Sequence, residues 1–251
     1  MAAPETPTLS TIWHARRRSG FLLDGGRVRA LTGHDSWPDG RRVAVHADPW
    51  QFGIRHVRRE IAAARLASGE SGRPDPLDQL DRLTRLDGGQ FESTTLTLGE
   101  AGSAGRGDRF LGFATLARRL RRAAAAAGTP RRHERTVYEI DLMFLWVQPE
   151  CRRQGLGAAL ASAIGITALE DYRSIAGGRD GGTLPVSTLL FADFLTAGGA
   201  AVGRLTMHAL VEAGLAFVAE TAGADVTLRL KPPRLVAAGG GEAGRRDGIG
   251  A

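Results

Sequence analysis

The chain has 251 residues, enough for one large domain with extensions or one domain plus a small second one. Its 43% hydrophobic content excludes a mostly disordered chain, and its 6% aromatics leave the core to Leu, Val, Ile and Ala. The net charge is +6, and the single Cys151 excludes an intramolecular disulfide and any cysteine-based zinc cluster.

In chain order, residues 1–18 read as a polar, Pro-containing lead ending in Arg16-Arg17-Arg18. Short strands are predicted at Phe21–Leu23, Val28–Leu31 and Val43–Val45, separated by Gly and Asp turns. Ile54 to Ala67 carries Ile54, Val57, Ile61, Ala64 and Leu66 at helical spacing, with Asp48-Pro49 as start signals. After a linker over Ser68–Pro76, the phased Leu77, Leu80, Leu83 and Leu86 predict a second helix. Phe91–Leu98 and Arg109–Leu116 read as a hairpin across the Gly-rich turn Gly99–Gly107. The Arg/Ala stretch 117–128 predicts a helix by propensity.

A strand over 136–147 follows, then a helix from Leu156 to about Tyr172 and a Gly/Asp loop over Gly177–Pro185. Val186–Phe191 reads as a strand, Ala200–Ala219 as a long, mostly apolar helix, and Val226–Leu230 as a last strand. From Lys231 the Pro-Pro pair and the Gly-rich run predict a disordered tail. The resulting domain reading is an N-terminal extension with short strands at 1–50, a main domain at 51–232 and a tail at 233–251. No run is read as spanning a bilayer and MAAPETPTLS lacks a signal-peptide pattern, so a cytoplasmic protein is expected.

The charge is uneven. Residues 118–135 hold seven arginines against one acid, Glu134, a local excess that equals the whole chain's. Such a segment is either a solvated surface or a footprint for weak nucleic-acid contact, an acidic partner or phosphates. No aromatics interleave with the arginines for base stacking.

The densest chemistry lies in Val147-Gln148-Pro149-Glu150-Cys151-Arg152-Arg153-Gln154-Gly155-Leu156-Gly157-Ala158. A strand, a basic glycine-bearing turn and a helix start make an anion cradle, because the first helical N–H groups lack partners and the helix dipole is positive there. Gly155 and Gly157 carry no side chain to hold a phosphate away, and Arg152 and Arg153 add charge. Cys151 reads as a bystander, with no His or acid beside it as a base.

Val147, Pro149, Arg152, Gly155 and Gly157, in this order and spacing, resemble the acyl-CoA-binding motif of the GNAT superfamily of N-acetyltransferases. Asp141-Leu142-x-x-Leu145-x-Val147 looks like that fold's fourth strand, and the close resemblance spans about residues 136–172. It implies a mixed α/β fold, a central mixed twisted sheet flanked by helices, here with a β-rich N-terminal extension. It also implies that the fourth and fifth strands splay apart and that the coenzyme's pantetheine arm runs between them. Acetyl-CoA is the implied cosubstrate, held by Leu145, Trp146, Val147, Arg152, Arg153, Gln154, Gly155, Leu156, Gly157 and Ala158. The backbone donor to the thioester oxygen is implied at Leu145 or Val147.

For the base that deprotonates the incoming amine, Asp141 and Glu139 lie two apart and share a face of the strand. Asp141 matches the position often acidic in the family. The Asn after the fifth strand and the Tyr on the next helix, which many members use at the thiolate, have no counterpart in Ala209–Leu215. His208 is the nearest titratable group and water is the alternative; Asp193 is a candidate substrate contact. Tyr138 and Tyr172 read as packing residues.

No Walker A, Gly-x-Ser-x-Gly or His-Glu-x-x-His motif occurs, and His14, His34, His46, His56 and His133 lack ligand spacing, so no metal is expected. The leading expectation is transfer of an acetyl group to a primary amine of a small molecule, a peptide or protein, or an aminoacyl-tRNA. The alternatives are a catalytically degenerate acyl-CoA-binding module and an arginine-rich nucleic-acid-binding protein. No membrane partner is expected; a homodimer is common among proteins of this resemblance.

Overall fold

The computed structural model describes residues 21–34, 37, 42–46, 54–69, 78, 92–100, 109–123, 135–177, 182–192, 196–222 and 226–237. Seven strands form one mixed sheet in sequential order: β1 (Phe21–Leu23), β2 (Val43–His46), β3 (Glu92–Glu100), β4 (Arg109–Ala123), β5 (Arg135–Val147), β6 (Gly182–Ala192) and β7 (Val226–Ala237). The first five pair antiparallel, while β5–β6 and β6–β7 are parallel. Parallel neighbours need long crossovers, and α3 (Leu156–Gly177) and α4 (Ala197–Glu220) supply them. Two shorter helices, α1 (Gly25–Thr32) and α2 (Ile54–Ser68), precede β2 and β3.

The two faces of the sheet carry separate buried clusters. Tyr138, Ile140 and Leu142 of β5 join Leu156, Leu160 and Ile164 of α3 and Leu210 and Phe217 of α4 in the main core, which also takes Val28 of α1. On the opposite face, Ile61 of α2 packs with Phe110, Phe113 and Trp146. By length and composition α4 is apolar enough to cross a bilayer, contrary to the reading that no run is; in this fold it packs against α3 and buries Ala209, Leu210, Ala213 and Phe217.

Three expectations are corrected. Val28–Leu31 lies in α1, because Asp24 caps the helix by accepting from the Arg27 N–H at 2.9 Å and Gly33 (φ 65°) closes it with an N–H to the Arg29 carbonyl at 2.8 Å. Four apolar-basic residues carry no period long enough to oppose two caps. The helix expected from 117 is, as far as Ala123, the end of β4, paired with β5 from Asp141 to Arg135. The ladder to β5 overrides alanine's helix preference there. Finally, β7 continues past Lys231 to Ala237. It tolerates Pro232-Pro233 because it is an edge strand and the ladder to β6 shifts there, between Ser187↔Lys231 and Leu189↔Arg234. The helix expected over Leu77–Leu86, the lead at 1–18, Asp193, residues 124–134 and the tail beyond 237 lie outside the described residues, Asp78 apart.

One irregularity positions the site. The β4–β5 register moves from Leu116↔Leu142 to Thr115↔Phe144, so Met143 is an extra residue, a β-bulge. Before it the even residues Tyr138, Ile140 and Leu142 face the α3/α4 core; after it Leu145 and Val147 do, and Phe144 and Trp146 turn to the α2 face.

The main core also holds two tyrosines, Tyr138 and Tyr172, in edge-to-face contact with centroids 5.7 Å apart. Burial pushes the Tyr172 phenol up to about 12, with the 2.7 Å hydrogen bond to Thr188 pulling the other way. A tyrosine in the unfolded chain loses its proton near pH 10, so this group stabilises the fold fully below about pH 10 and stops doing so as pH rises through about 12. Melting temperatures taken from about pH 9 to 12 should fall through that window, and Tyr172→Phe should flatten part of the fall.

Candidate functional site

Pairing between β5 and β6 ends at Leu142↔Ala192, yet β5 runs on to Val147. From Met143 onward it is bonded, among the described strands, to β4 alone. The Gln148 N–H donates to the Leu111 carbonyl at 2.9 Å. Alternate residues of an antiparallel strand turn their backbone groups to the same neighbour, so Trp146 and Phe144 also address β4. Leu145 and Val147 therefore point N–H and C=O to the open side. The Val147 carbonyl is found there, accepting from Arg152 Nε at 3.1 Å. Beyond Leu142 the backbone edge of β5 at Leu145 and Val147 is therefore unpaired by any described strand.

The strand leads directly into the basic turn. Pro149–Cys151 forms one 3-10 turn, anchored by the buried Gln148, whose Nε2 donates to the Phe110 carbonyl at 2.8 Å. Cys151 is buried in the core as a packing residue, 3% exposed. Arg153 has φ 62° and Gly155 φ 77°, and Arg153 is the one non-Gly residue with positive φ among the described residues. Backbone that alternates in this way curls successive N–H groups inward into an anion-binding concavity. Gln154 braces the turn through Nε2 to the Glu150 carbonyl at 2.9 Å.

Helix α3 starts here, with the Ala159 N–H on the Gly155 carbonyl at 3.0 Å. The N–H groups of Leu156, Gly157 and Ala158 belong to its first turn, which has no acidic residue, whereas their side-chain roles differ. Leu156 and Ala158 are core residues, so they offer backbone alone. Gly157 faces α4, where a Cβ would stand 2.7 Å from Val202 Cγ2, so a larger residue would displace that side chain. Arg153 is exposed and Arg152 half-buried, and the nearby Glu150 is occupied by Arg109 at 3.1 Å. The turn thus presents N–H groups and the exposed Arg153, with Arg152 bonded to the Val147 carbonyl.

The two acids diverge. Glu139 is 3% exposed and clamped by Nε of both Arg119 and Arg121, the latter at 2.5 Å. Asp141 is half-buried and pairs with Phe191, one step before the strands part. Both side chains lie on the α2 face, since Tyr138, Ile140 and Leu142 take the other. His208 is not brought to them. It is exposed on α4, across the sheet, with Nδ1 3.1 Å from the Leu31 carbonyl at the end of α1. Twelve residues past the N-cap Thr196, it is about 18 Å along the helix from the start of α4.

Of the arginine run, Arg118, Arg119 and Arg121 are described with side-chain partners. Arg118 is fully buried, with Nη1 2.5 Å from Asp171 and Nη2 2.8 Å from Thr94 Oγ1, and Arg119 and Arg121 hold Glu139. Among the described residues no group of His, Cys, Asp and Glu could hold a metal ion. Sequence reasoning missed the clamp on Glu139 and the cluster of Phe110, Phe113, Phe144 and Trp146. The alternation of arginines with Leu120 was a usable signal for the clamp; the bulge that aims Phe144 and Trp146 had none.

No protein-family model, curated protein or solved structure matches the chain. What the arrangement can do chemically therefore follows from its parts: bind a polyanion at the turn, bond an extended ligand along Leu145 and Val147, and hold a carboxylate at the mouth.

Proposed function

We propose that the chain is an acetyl-CoA-dependent N-acetyltransferase of the GNAT kind, acting on a primary amine. The observation that carries this reading is the continuity of the open β5 edge with the turn at Arg153 and Gly155. A diphosphate, an amide-bearing arm and a thioester need such donors in that order. The turn and the α3 N-terminus take the phosphates, and Leu145 and Val147 bond the arm.

The N–H of Leu145 or Val147 meets the thioester oxygen as charge develops, a task for which one fixed donor is worth about 10²–10³-fold in rate. Asp141 accepts the ammonium proton as the amine nitrogen attacks the thioester carbon. At about 3.3 Å per residue it stands up to about 13 Å along the strand from Leu145, so the proton passes through water. The carbon–sulfur bond then breaks, the nitrogen gives up its second proton to solvent, and the thiolate takes a proton from solvent. Glu139, held by two arginines, is assigned to structure, and His208, bonded to α1, to helix docking.

A second reading keeps the coenzyme and drops the chemistry. Its support is that neither Glu139 nor His208 is available at the mouth and that α4 has no Tyr or Asn to serve the thiolate. It predicts coenzyme binding without acyl transfer. The nucleic-acid reading loses support, because three of its seven arginines bond internal carboxylates.

Calorimetric titration of acetyl-CoA tests the site. Wild type is expected to bind, and Gly155→Glu to weaken binding by at least about 100-fold, since its carboxylate opposes the diphosphate. Glu is strained at positive φ, so Gly155→Asn, which that backbone tolerates, serves as the fold control and a melting curve is run on both. Failure of wild type to bind sinks both coenzyme readings.

A further inference from the structure

Beside Asp141 the sheet carries charge that the proposed chemistry does not use. Asp141 pairs with Phe191 at the point where β5 and β6 part. The next row across the same face reads Arg119, Glu139, Leu189 and Arg234, from β4 to β7. The row after it reads Arg121, Val137, Ser187 and Lys231. Each row therefore has a cation at both ends. Over β6 and β7 this face is accessible: Ser187, Leu189 and Phe191 are half-buried and Lys231 and Arg234 exposed, whereas the alternate β6 residues Val186, Thr188 and Leu190 are buried.

Stability alone does not call for four cations here. One carboxylate balances one arginine, yet Glu139 holds Nε of both Arg119 and Arg121, so the trio keeps a net positive charge. The two arginine side chains are 33% and 30% exposed, and the Nη groups of Arg121 have no bond among the described residues. Lys231 and Arg234 form no ion pair among the described residues. Cations on an edge strand such as β7 discourage pairing with another sheet. That duty gives no reason for cations at the other end of the same rows, on the interior strand β4.

Strands lie about 4.8 Å apart, so the facing cations of a row have Cα atoms about 14 Å apart, and successive rows repeat every 6.6 Å or so. An extended peptide laid along β5 and β6 has the same repeat and turns its side chains alternately toward β4 and β7. With its terminal amine at Asp141, its third to sixth residues fall between the cations of the two rows. We propose that the acceptor is the α-amine of a polypeptide whose third to sixth residues are acidic. The inference rests on the acyltransferase reading and names its substrate class. The same field opposes a basic N-terminus or a polyamine.

The test uses two heptapeptide amides, Ala-Ala-Glu-Glu-Glu-Glu-Ala and Ala-Ala-Gln-Gln-Gln-Gln-Ala, with wild type, Lys231→Gln and Arg121→Gln. Acetyl-CoA is titrated into all three proteins first, with affinities expected to agree within about threefold, because both side chains lie far from the turn at Gly155. Wild type should favour the Glu peptide by at least about tenfold in kcat/KM, and about 0.5 M salt should remove most of that preference. Each variant should raise the KM for the Glu peptide about threefold to tenfold with kcat little changed, and leave the Gln peptide as it was. Lys231 is exposed and unpaired, so its variant keeps the test open if Arg121→Gln loosens the clamp on Glu139.

Equal use of the two peptides, the same change for both peptides in Lys231→Gln, or no acetylation of either by a protein that binds acetyl-CoA would each overturn this inference alone. Equal use joined to salt-sensitive binding of a single-stranded RNA that Lys231→Gln weakens would give the face to nucleic acid instead. No acetyl-CoA binding by wild type would overturn the acyltransferase reading and take this inference with it.

Discussion

Replacing Asp171 by Ala should lower stability by about 3–5 kcal/mol, the usual result of leaving a buried charge without its partner. Asp171 is fully buried on α3 and joins three strands through two donors. Arg118 Nη1 of β4 lies 2.5 Å from its Oδ2, the Tyr138 hydroxyl of β5 donates to the same oxygen, and Arg118 reaches β3 at Thr94. Burial is the largest single influence and works against the Arg118 charge, but the charges and hydrogen bonds of Asp171 and Tyr138 together more than offset it, and the guanidinium is held above its ordinary value. Burial, and then the charge of Asp171, likewise pushes the Tyr138 phenol well up.

Without Asp171, Arg118 stays charged in a site built to exclude water. At about 2–4 °C per kcal/mol for a domain of this size, the melting temperature should drop by about 10 °C. A drop below about 3 °C would show that the pair is not the support described. The triple variant Arg118→Met, Asp171→Leu, Tyr138→Phe removes the three ionisable members together, leaving the Thr94 hydroxyl, and should recover most of the loss. High salt should leave the wild-type contribution unchanged, since a buried pair is screened little.

Arg118 also marks where the sequence stops being readable. Inside an arginine-rich run it looks like its neighbours, and a charge run is ordinarily solvated. What separates it from Arg119 is the side of a strand it occupies, which depends on the pairing of β4 with β5 and on an acid 53 residues away. Once 117–123 is taken as strand, the order Arg118, Arg119, Leu120, Arg121 splits into an inward and an outward set. The alanines beside it hid this by favouring helix.

The turn from Val147 to Ala158 was readable because its demands are local. Positive φ at Gly155, free N–H groups at a helix start and a strand running straight in all arise within a dozen residues. Gly157 was legible for a different reason than its actual one, since its neighbour Val202 is distant in sequence. The bulge at Met143 was invisible, and it reverses the facing of every later residue of β5. Hence Leu145 was expected on the correct strand, whereas Phe144 and Trp146 were not seen as part of an aromatic packing cluster. The prolines of β7 misled in the opposite way, since an edge position was not evident before the sheet was assembled.

Asp141→Asn should lower kcat by about 10²–10⁴-fold, the usual worth of a positioned base, with acetyl-CoA affinity unchanged. Asn preserves the shape and the backbone pairing with Ala117 and Phe191 and removes the proton acceptor. Glu139→Gln is the informative comparison, because the two positions share a face and differ in what holds them. Glu139 carries two arginines, so its amide should leave those charges underpaired and lower the melting temperature, while kcat at a temperature where the protein is folded stays within a few fold. The reverse pattern, a large kcat loss at Glu139 and none at Asp141, would move the base one step inward along β5. Loss at neither position in a protein that still transfers acetyl groups would leave solvent as the proton acceptor. Binding with no transfer in wild type would favour the coenzyme-binding module, a fold that keeps the cradle at Gly155 and the open edge at Leu145 and in which Asp141 does not turn binding into reaction.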